Sequence, residues 1–161
     1  MKYLGWFLMI VCLSCGCSGS RPHLAWSADT DSDSGHRIAP LADFAQGLAC
    51  ERHGQWRAAA NCFERAASLA PNSPRVYLHW AWSLRVLGSH SAARGLLKQA
   101  EQFATPGDYL LYYDAGIVYE TMENYDEARR CYEKSLAIFP QFFKGTQALI
   151  ALLHREMTKK K

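Results

Sequence analysis

Apolar and small residues recur along the chain from Pro40 onward at spacings of three and four, the period of an amphipathic helix. The clearest stretch is DAGIVYETMENYDEARRCYEKSLAIFP, residues 114–140. Its first half sets Ala115-Gly116 three positions before Tyr119. Its second half sets Ala128 four positions before Tyr132, with Ser135 three further on. A break at Glu123-Asn124-Tyr125 separates the halves and Pro140 closes them, so the stretch reads as two helices joined by a tight turn.

The same pattern occurs twice upstream. Residues 40–73 open on Pro40, a good first-turn residue, carry Gly47, turn at His53-Gly54-Gln55-Trp56, continue through Ala59, Phe63 and Ala66, and end at Pro71. Residues 74–108 carry Tyr77, Trp80, Ala81 and Leu84, turn at Gly88-Ser89, and continue through Ala93, Leu97 and Ala100. There Thr105-Pro106-Gly107 lengthens the exit and shifts the period slightly. Residues 109–140 form the third copy. Gly47, Ala81 and Gly116 share one place; Ala59, Ala93 and Ala128 share another. Small residues at both places let two helices lie close, with Phe63 and Tyr132 filling the gap between them. Beyond Pro140, Phe142, Ala148, Leu149, Leu152 and Leu153 give one more apolar face over residues 141–161, which end in Lys159-Lys160-Lys161.

This arrangement resembles the tetratricopeptide repeat, with its W-x2-L-G-x2-Y, A-x3-F and P signature at a period of about 34 residues. The resemblance implies an all-α fold: a right-handed superhelix of three helix-turn-helix repeats (40–73, 74–108, 109–140) plus a C-terminal capping helix (141–161). The cap is expected because the last repeat would otherwise expose its stacking face. Gly47, Ala59, Phe63, Ala66, Pro71, Ala81, Ala93, Ala100, Gly116, Tyr119, Ala128, Tyr132 and Pro140 are the expected repeat-packing residues.

The N-terminal pattern differs. Lys2 precedes an eleven-residue apolar run over residues 3–13, and small residues follow from Ser14 to Ser20. This is the form of a secretory signal peptide and is too short for a comfortable membrane span. A cysteine after small residues resembles the lipobox of bacterial lipoproteins, although Ser14 stands where leucine is preferred. Cys17 is the first candidate for lipidation and Cys15 the alternative, giving a signal peptide over residues 1–17. Residues 18–39 are polar and turn-rich, with too little apolar surface to offset ordering entropy, and read as a disordered tether. Asp29, Asp31 and Asp33 have the alternation of a calcium loop, but Ser34 and Pro40 stand where it needs glycine and glutamate.

Composition narrows the function. Charged residues make up 20% and the formal charge is +3, part of it in the tail, so no basic stripe with interleaved aromatics points to nucleic acid. No phosphate-cradling glycine loop, HExxH or His/Cys spacing suited to a metal is present. The chain reads as non-catalytic, with no cofactor and no metal. His79 reads as a surface or packed histidine. Cys50, Cys62 and Cys131 read as small buried hydrophobes; a Cys50–Cys62 bridge across one repeat is geometrically conceivable in an exported protein.

Function then falls on a surface. The resemblance implies a concave groove, lined by the first helix of each repeat, that takes an extended or helical peptide. The helical period places Phe44, Leu48 and Arg52 there in the first repeat, Arg75, Leu78, Trp82 and Arg85 in the second, and Leu110, Tyr113 and Ile117 in the third. The same period also turns Leu41, Glu51, Val86, Glu120 and Thr121 toward the groove. Aromatics ringed by arginine are the usual makings of a binding hot spot; the rival expectation is that Phe44, Trp82 and Tyr113 pack within the chain. The family's clamp for chaperone C-terminal carboxylates needs Lys and Asn where Phe44, Leu48 and Leu110 stand, which argues against that ligand. The expected protein is an exported, lipid-anchored scaffold of a bacterial envelope, with the outer membrane favoured because Ser18 follows Cys17. It would hold a protein partner in its groove. A self-associating spacer or an accessory subunit of an envelope enzyme is the alternative.

Overall fold

The computed structural model describes residues 32–159. They form seven α-helices with no strand among them: α1 (Ser32–Arg52), α2 (Trp56–Leu69), α3 (Pro74–Val86), α4 (His90–Gln102), α5 (Tyr109–Thr121), α6 (Tyr125–Ile138) and α7 (Phe143–Lys159). The apolar run at residues 3–13, Cys15 and Cys17 lie outside the described residues.

Consecutive helices pair as hairpins, α1 with α2, α3 with α4 and α5 with α6, and the hairpins stack through α2 on α3, α4 on α5 and α6 on α7. Helices α1, α3 and α5 also touch in succession, which puts the first helix of each hairpin in one row. That row is the inner layer of the superhelix.

Each hairpin turns in the same way. The amide of Gln55 donates to the carbonyl of Cys50 (2.9 Å), that of Ser89 to Leu84 (2.9 Å) and that of Asn124 to Tyr119 (3.0 Å). The preceding amides of Gly54, Gly88 and Glu123 donate to Glu51, Arg85 and Glu120, each at 3.0 Å. This bond pair is a Schellman motif, which needs one residue in the left-handed region. Gly54 (φ 69°) and Gly88 (φ 81°) supply it at no steric cost, and Glu123 (φ 59°) supplies it in the third hairpin. The longer exit after α4 has its own lock. Asp108 Oδ2 accepts from the Thr105 amide (2.8 Å) and hydroxyl (2.6 Å), and those bonds hold its carboxyl below the usual aspartate range.

The small-and-large pairing of the sequence is the mechanism of hairpin closure. A Cβ added at Gly47 would lie 2.4 Å from the Phe63 ring, and one at Gly116 would lie 2.5 Å from the Tyr132 ring. Ala59, Ala66, Ala81, Ala93, Ala100 and Ala128 are completely buried, as are Phe63 and Leu97. Burying a side chain the size of Phe63 or Leu97 contributes roughly 1.5–3 kcal/mol. Tyr119 and Tyr132 are also buried, each with an outlet for its hydroxyl: Tyr119 donates to Glu101 Oε1 (3.4 Å) and Tyr132 to Glu120 Oε2 (2.8 Å). Ser135 Oγ donates to the Tyr109 carbonyl (2.8 Å), tying α6 back to the start of α5.

Several expectations are revised. Helix α1 begins at Ser32, inside the stretch read as a disordered tether, so Pro40 lies within a helix rather than in its first turn. Its missing N–H removes one ladder bond there. Pro71 and Pro140 do not pack between repeats; both are exposed in the connections, where they stop a helix. Helix α7 covers α6 with Leu152, which is fully buried, but its outward row is not polar. Phe143, Ile150 and Met157, seven residues apart, are 71%, 51% and 59% exposed. Ile150 stands about one repeat beyond Gly116, so the small residue that admits a second helix is absent there. Cys50, Cys62 and Cys131 are buried free thiols. No helix among the described residues is long and apolar enough to cross a membrane.

Candidate binding groove

The inner row is built by the residues that precede each small-residue place. Because Gly47, Ala81 and Gly116 face the second helix of their own hairpin, residues two and three positions earlier, and one position later, turn toward the open side. On α3 these are Leu78, His79 and Trp82; on α5 they are Tyr113, Asp114 and Ile117.

Two adjoining cavities lie between α3 and α5. One, of about 440 Å³, is lined chiefly by Pro74, Arg75, Leu78, His79, Leu110 and Asp114. The other, of about 270 Å³, is lined by Leu78, His79, Trp82, Asp114, Ile117 and Val118. Together they form an apolar floor with charged walls, a shape in which apolar contact supplies affinity and a few polar groups fix orientation.

The expected groove residues separate into three groups. Arg75, Leu78, Trp82, Leu110 and Ile117 line the cavities, with Leu78 almost fully buried in their floor. Phe44 and Tyr113 are engaged within the chain. Phe44 packs on Phe63 (ring centroids 5.7 Å apart) and edge-on to His79 (5.4 Å). Tyr113 lies against Tyr132 (5.9 Å) and meets Phe142 edge-on (5.0 Å). For these two, packing within the chain accounts for the aromatic ring, and Leu48 is likewise half-buried against the core. Arg52, at the end of α1, is exposed, and neither cavity reaches it. Arg85 is half-buried, with its guanidinium carbon 4.4 Å from the Trp82 ring centroid.

Two residues of the site were not among those expected in the groove: His79 and Asp114. The signal was present in the register. Ala45, His79 and Asp114 each stand two positions before the small residue of their repeat, so they point inward with the rest. His79 is packed, as its helical setting suggested, but it also borders both cavities. Its Nδ1 lies 3.0 Å from Glu51 Oε2, and Glu51 Oε1 accepts from Ser83 Oγ (3.3 Å). This bridge joins α1 to α3. Desolvation raises the Asp114 carboxyl above the ordinary aspartate value, opposed by its electrostatic interactions with His79 and Arg75. No group of three or more His, Cys, Asp or Glu among the described residues is placed to hold a metal ion.

Comparison with known proteins bears on this geometry. Two family models described as tetratricopeptide repeat match the chain, one over residues 44–109 and one over residues 109–142, together more than half of it. The chain is a tetratricopeptide-repeat protein. No curated protein sequence matches it. Among solved structures, the Arabidopsis OM64 TPR domain is 21% identical, with a TM-score of 0.65 over 75% of this chain and 99% of that one. The first TPR of Spaghetti (RPAP3), solved with the HSP90 peptide SRMEEVD, is 18% identical, with a TM-score of 0.65 over 74% and 94%. MamA from Desulfovibrio magneticus RS-1 is 22% identical, with a TM-score of 0.62 over 75% and 68%. At these identities the likeness establishes the fold. In tetratricopeptide-repeat proteins that fold is an interaction module, and the RPAP3 structure is an instance with a peptide bound.

Proposed function

We propose that this tetratricopeptide-repeat protein is a non-catalytic scaffold that holds a protein segment, extended or helical, against the inner faces of α3 and α5. The observation that carries the reading is the pair of adjoining cavities there. Trp82, Leu110 and Ile117 keep apolar surface open to solvent between Arg75 on one side and Arg85 on the other. Phe44 and Tyr113 are held ring against ring within the chain, whereas Trp82, though partly buried against the core, also walls the smaller cavity. Apolar surface left open in a groove with a charged rim is the signature of a docking site rather than of a finished core.

The setting is part of the proposal. The apolar run, the small residues after it and Cys17 (or Cys15) support export and lipid anchoring at a bacterial envelope, with the outer membrane favoured. The test of the groove is the paired substitution Trp82→Ala with Ile117→Asp, followed by in-cell crosslinking and mass spectrometry of envelope extract. Loss of captured partners with helicity retained supports the groove; an unchanged set of partners refutes it. The test of anchoring is the mass of the mature protein, where a free amine beyond Cys17 with no acyl mass refutes it.

The exposed row Phe143, Ile150 and Met157 on α7 favours a second reading, a self-associating spacer. Light scattering separates the two: a mass that rises with concentration supports the spacer, and a concentration-independent monomer refutes it.

A further inference from the structure

The arginines of the described residues divide unevenly. Arg65 bonds Asp43 (2.7 Å), Arg130 bonds Glu101 (2.8 Å) and Glu127 (2.6 Å), Arg155 bonds Glu120 (2.7 Å), and Arg129 bonds Glu156. Each joins a carboxylate across or along helices. Arg85 is partly withdrawn from water, yet among the described residues it carries no such bond. Its Nε is buried without a hydrogen-bond partner, as is that of Arg129; but Arg129 reaches Glu156 through its terminal nitrogen, whereas burial lowers the pKa of Arg85 with no opposing carboxylate. The carboxylates that the flanking inner helices present are engaged elsewhere: Glu51 with His79 and Ser83, Glu120 with Tyr132 and Arg155. Asp114 interacts electrostatically with His79 and Arg75.

A guanidinium cannot shed its proton in a protein. Withdrawing one from water without an anion is unfavourable, and stacking on Trp82 offsets only part of that. A native chain seldom leaves such a group unsatisfied without a reason. Its place supplies one. Arg85 lies one helical turn beyond Trp82, about 4.5 Å along α3 at 1.5 Å per residue. Trp82, Leu78 and Ile117 wall the smaller cavity. An extended chain covers that distance in one to two residues.

We infer that Arg85, held on the Trp82 ring, reads a carboxylate of the docked partner next to an apolar partner side chain seated between Trp82 and Ile117. The ligand is thus a peptide segment in which Asp or Glu adjoins a leucine-sized residue. This rests on the groove reading above and specifies its chemistry. It is a single arginine on an aromatic ring, unlike the Lys-and-Asn clamp, whose places here hold Phe44, Leu48 and Leu110.

The test uses the full chain and two probes, N-acetyl-leucyl-aspartate amide and its asparagine isostere, followed by NMR. With the aspartate probe the Arg85 Nε–Hε and Trp82 indole signals should shift in a saturable way. The asparagine probe should bind about tenfold or more weakly, as loss of a charge-assisted contact implies. Arg85→Met should remove the preference while leaving the Trp82 response, and should raise the thermal unfolding midpoint because it keeps the stem and deletes an uncompensated charge. Equal binding of the two probes with Trp82 shifting overturns the role of Arg85 and leaves the groove standing. Equal shifts at Arg52, Arg75 and Arg85 mark diffuse charge attraction and also overturn it. A lower midpoint in Arg85→Met marks a structural arginine. Silence at Trp82 with both probes counts against the groove itself.

Discussion

Replacing Gly116 by alanine puts a methyl carbon 2.5 Å from Tyr132 Cε1, 2.7 Å from Cδ1 and 3.1 Å from Cζ. Ordinary contact between carbons needs roughly 3.5–4.0 Å, so α5 and α6 must part by about an ångström or the ring must turn. The ring has little freedom. It is 1% exposed, its hydroxyl donates to Glu120, and Tyr113 lies against it. Overpacking of this kind costs about 1–3 kcal/mol. Alanine in a helix interior returns about 0.5–1 kcal/mol, leaving a net loss of about 0–2.5 kcal/mol. The propensity gain can be measured in the same protein, because Gly95 in α4 has nothing within 4 Å of its added Cβ. Gly95→Ala should therefore stabilise by about 0.5–1 kcal/mol. The clash is the difference between the two variants, about 1–3 kcal/mol, read from urea unfolding midpoints with the slopes compared. If Gly116→Ala is as stable as Gly95→Ala, the hairpin is not closed by the small-residue contact and the packing argument fails.

Other predictions can be checked with the same protein. Tyr132→Phe should lose about 1 kcal/mol by urea unfolding, since one hydrogen bond goes while Glu120 keeps Arg155. Asp114 has a folded-state pKa above its unfolded one, so the folded chain binds the extra proton and stability falls as pH rises from the ordinary aspartate value through the raised one. Asp114→Asn should then be more stable than the parent at pH 7, and the advantage should shrink as the pH is lowered through that window; a constant difference across pH would refute the linkage. Burial, and then Glu101, push the Cys131 thiol up to about 12. Cys131, buried like Cys50 and Cys62, should therefore react with a thiol reagent at pH 8 only as the fold opens, and prompt labelling of the native protein would contradict the burial.

The hairpins were legible because their closure is local. Gly47 with Phe63 and Gly116 with Tyr132 lie in one repeat, and the period that pairs them is written in the chain. The turns were legible for the same reason, since glycine at 54 and 88 announces a left-handed residue. What was misread lay where no repeat constrained it. Helix α1 runs on past Pro40 toward Ser32, through residues read as a disordered tether.

By itself the sequence determined that seven helices form, six of them in pairs and the last a cap, with first helices lining one side, because side-chain size at a 3.6-residue period decides which faces can touch. The tertiary structure decided which inward residues are left over for a partner. Phe44, Leu48 and Tyr113 share the inward register of Trp82 and Ile117, and all five are partly buried against the core, yet only Trp82 and Ile117 also line a cavity; His79 and Asp114 come to border the cavities; and Arg85 bonds no carboxylate among the described residues although Glu51 and Glu120 stand on the flanking helices. Periodicity sets direction, and only the distances between non-adjacent helices decide whether a side chain finds a partner or stays open to one.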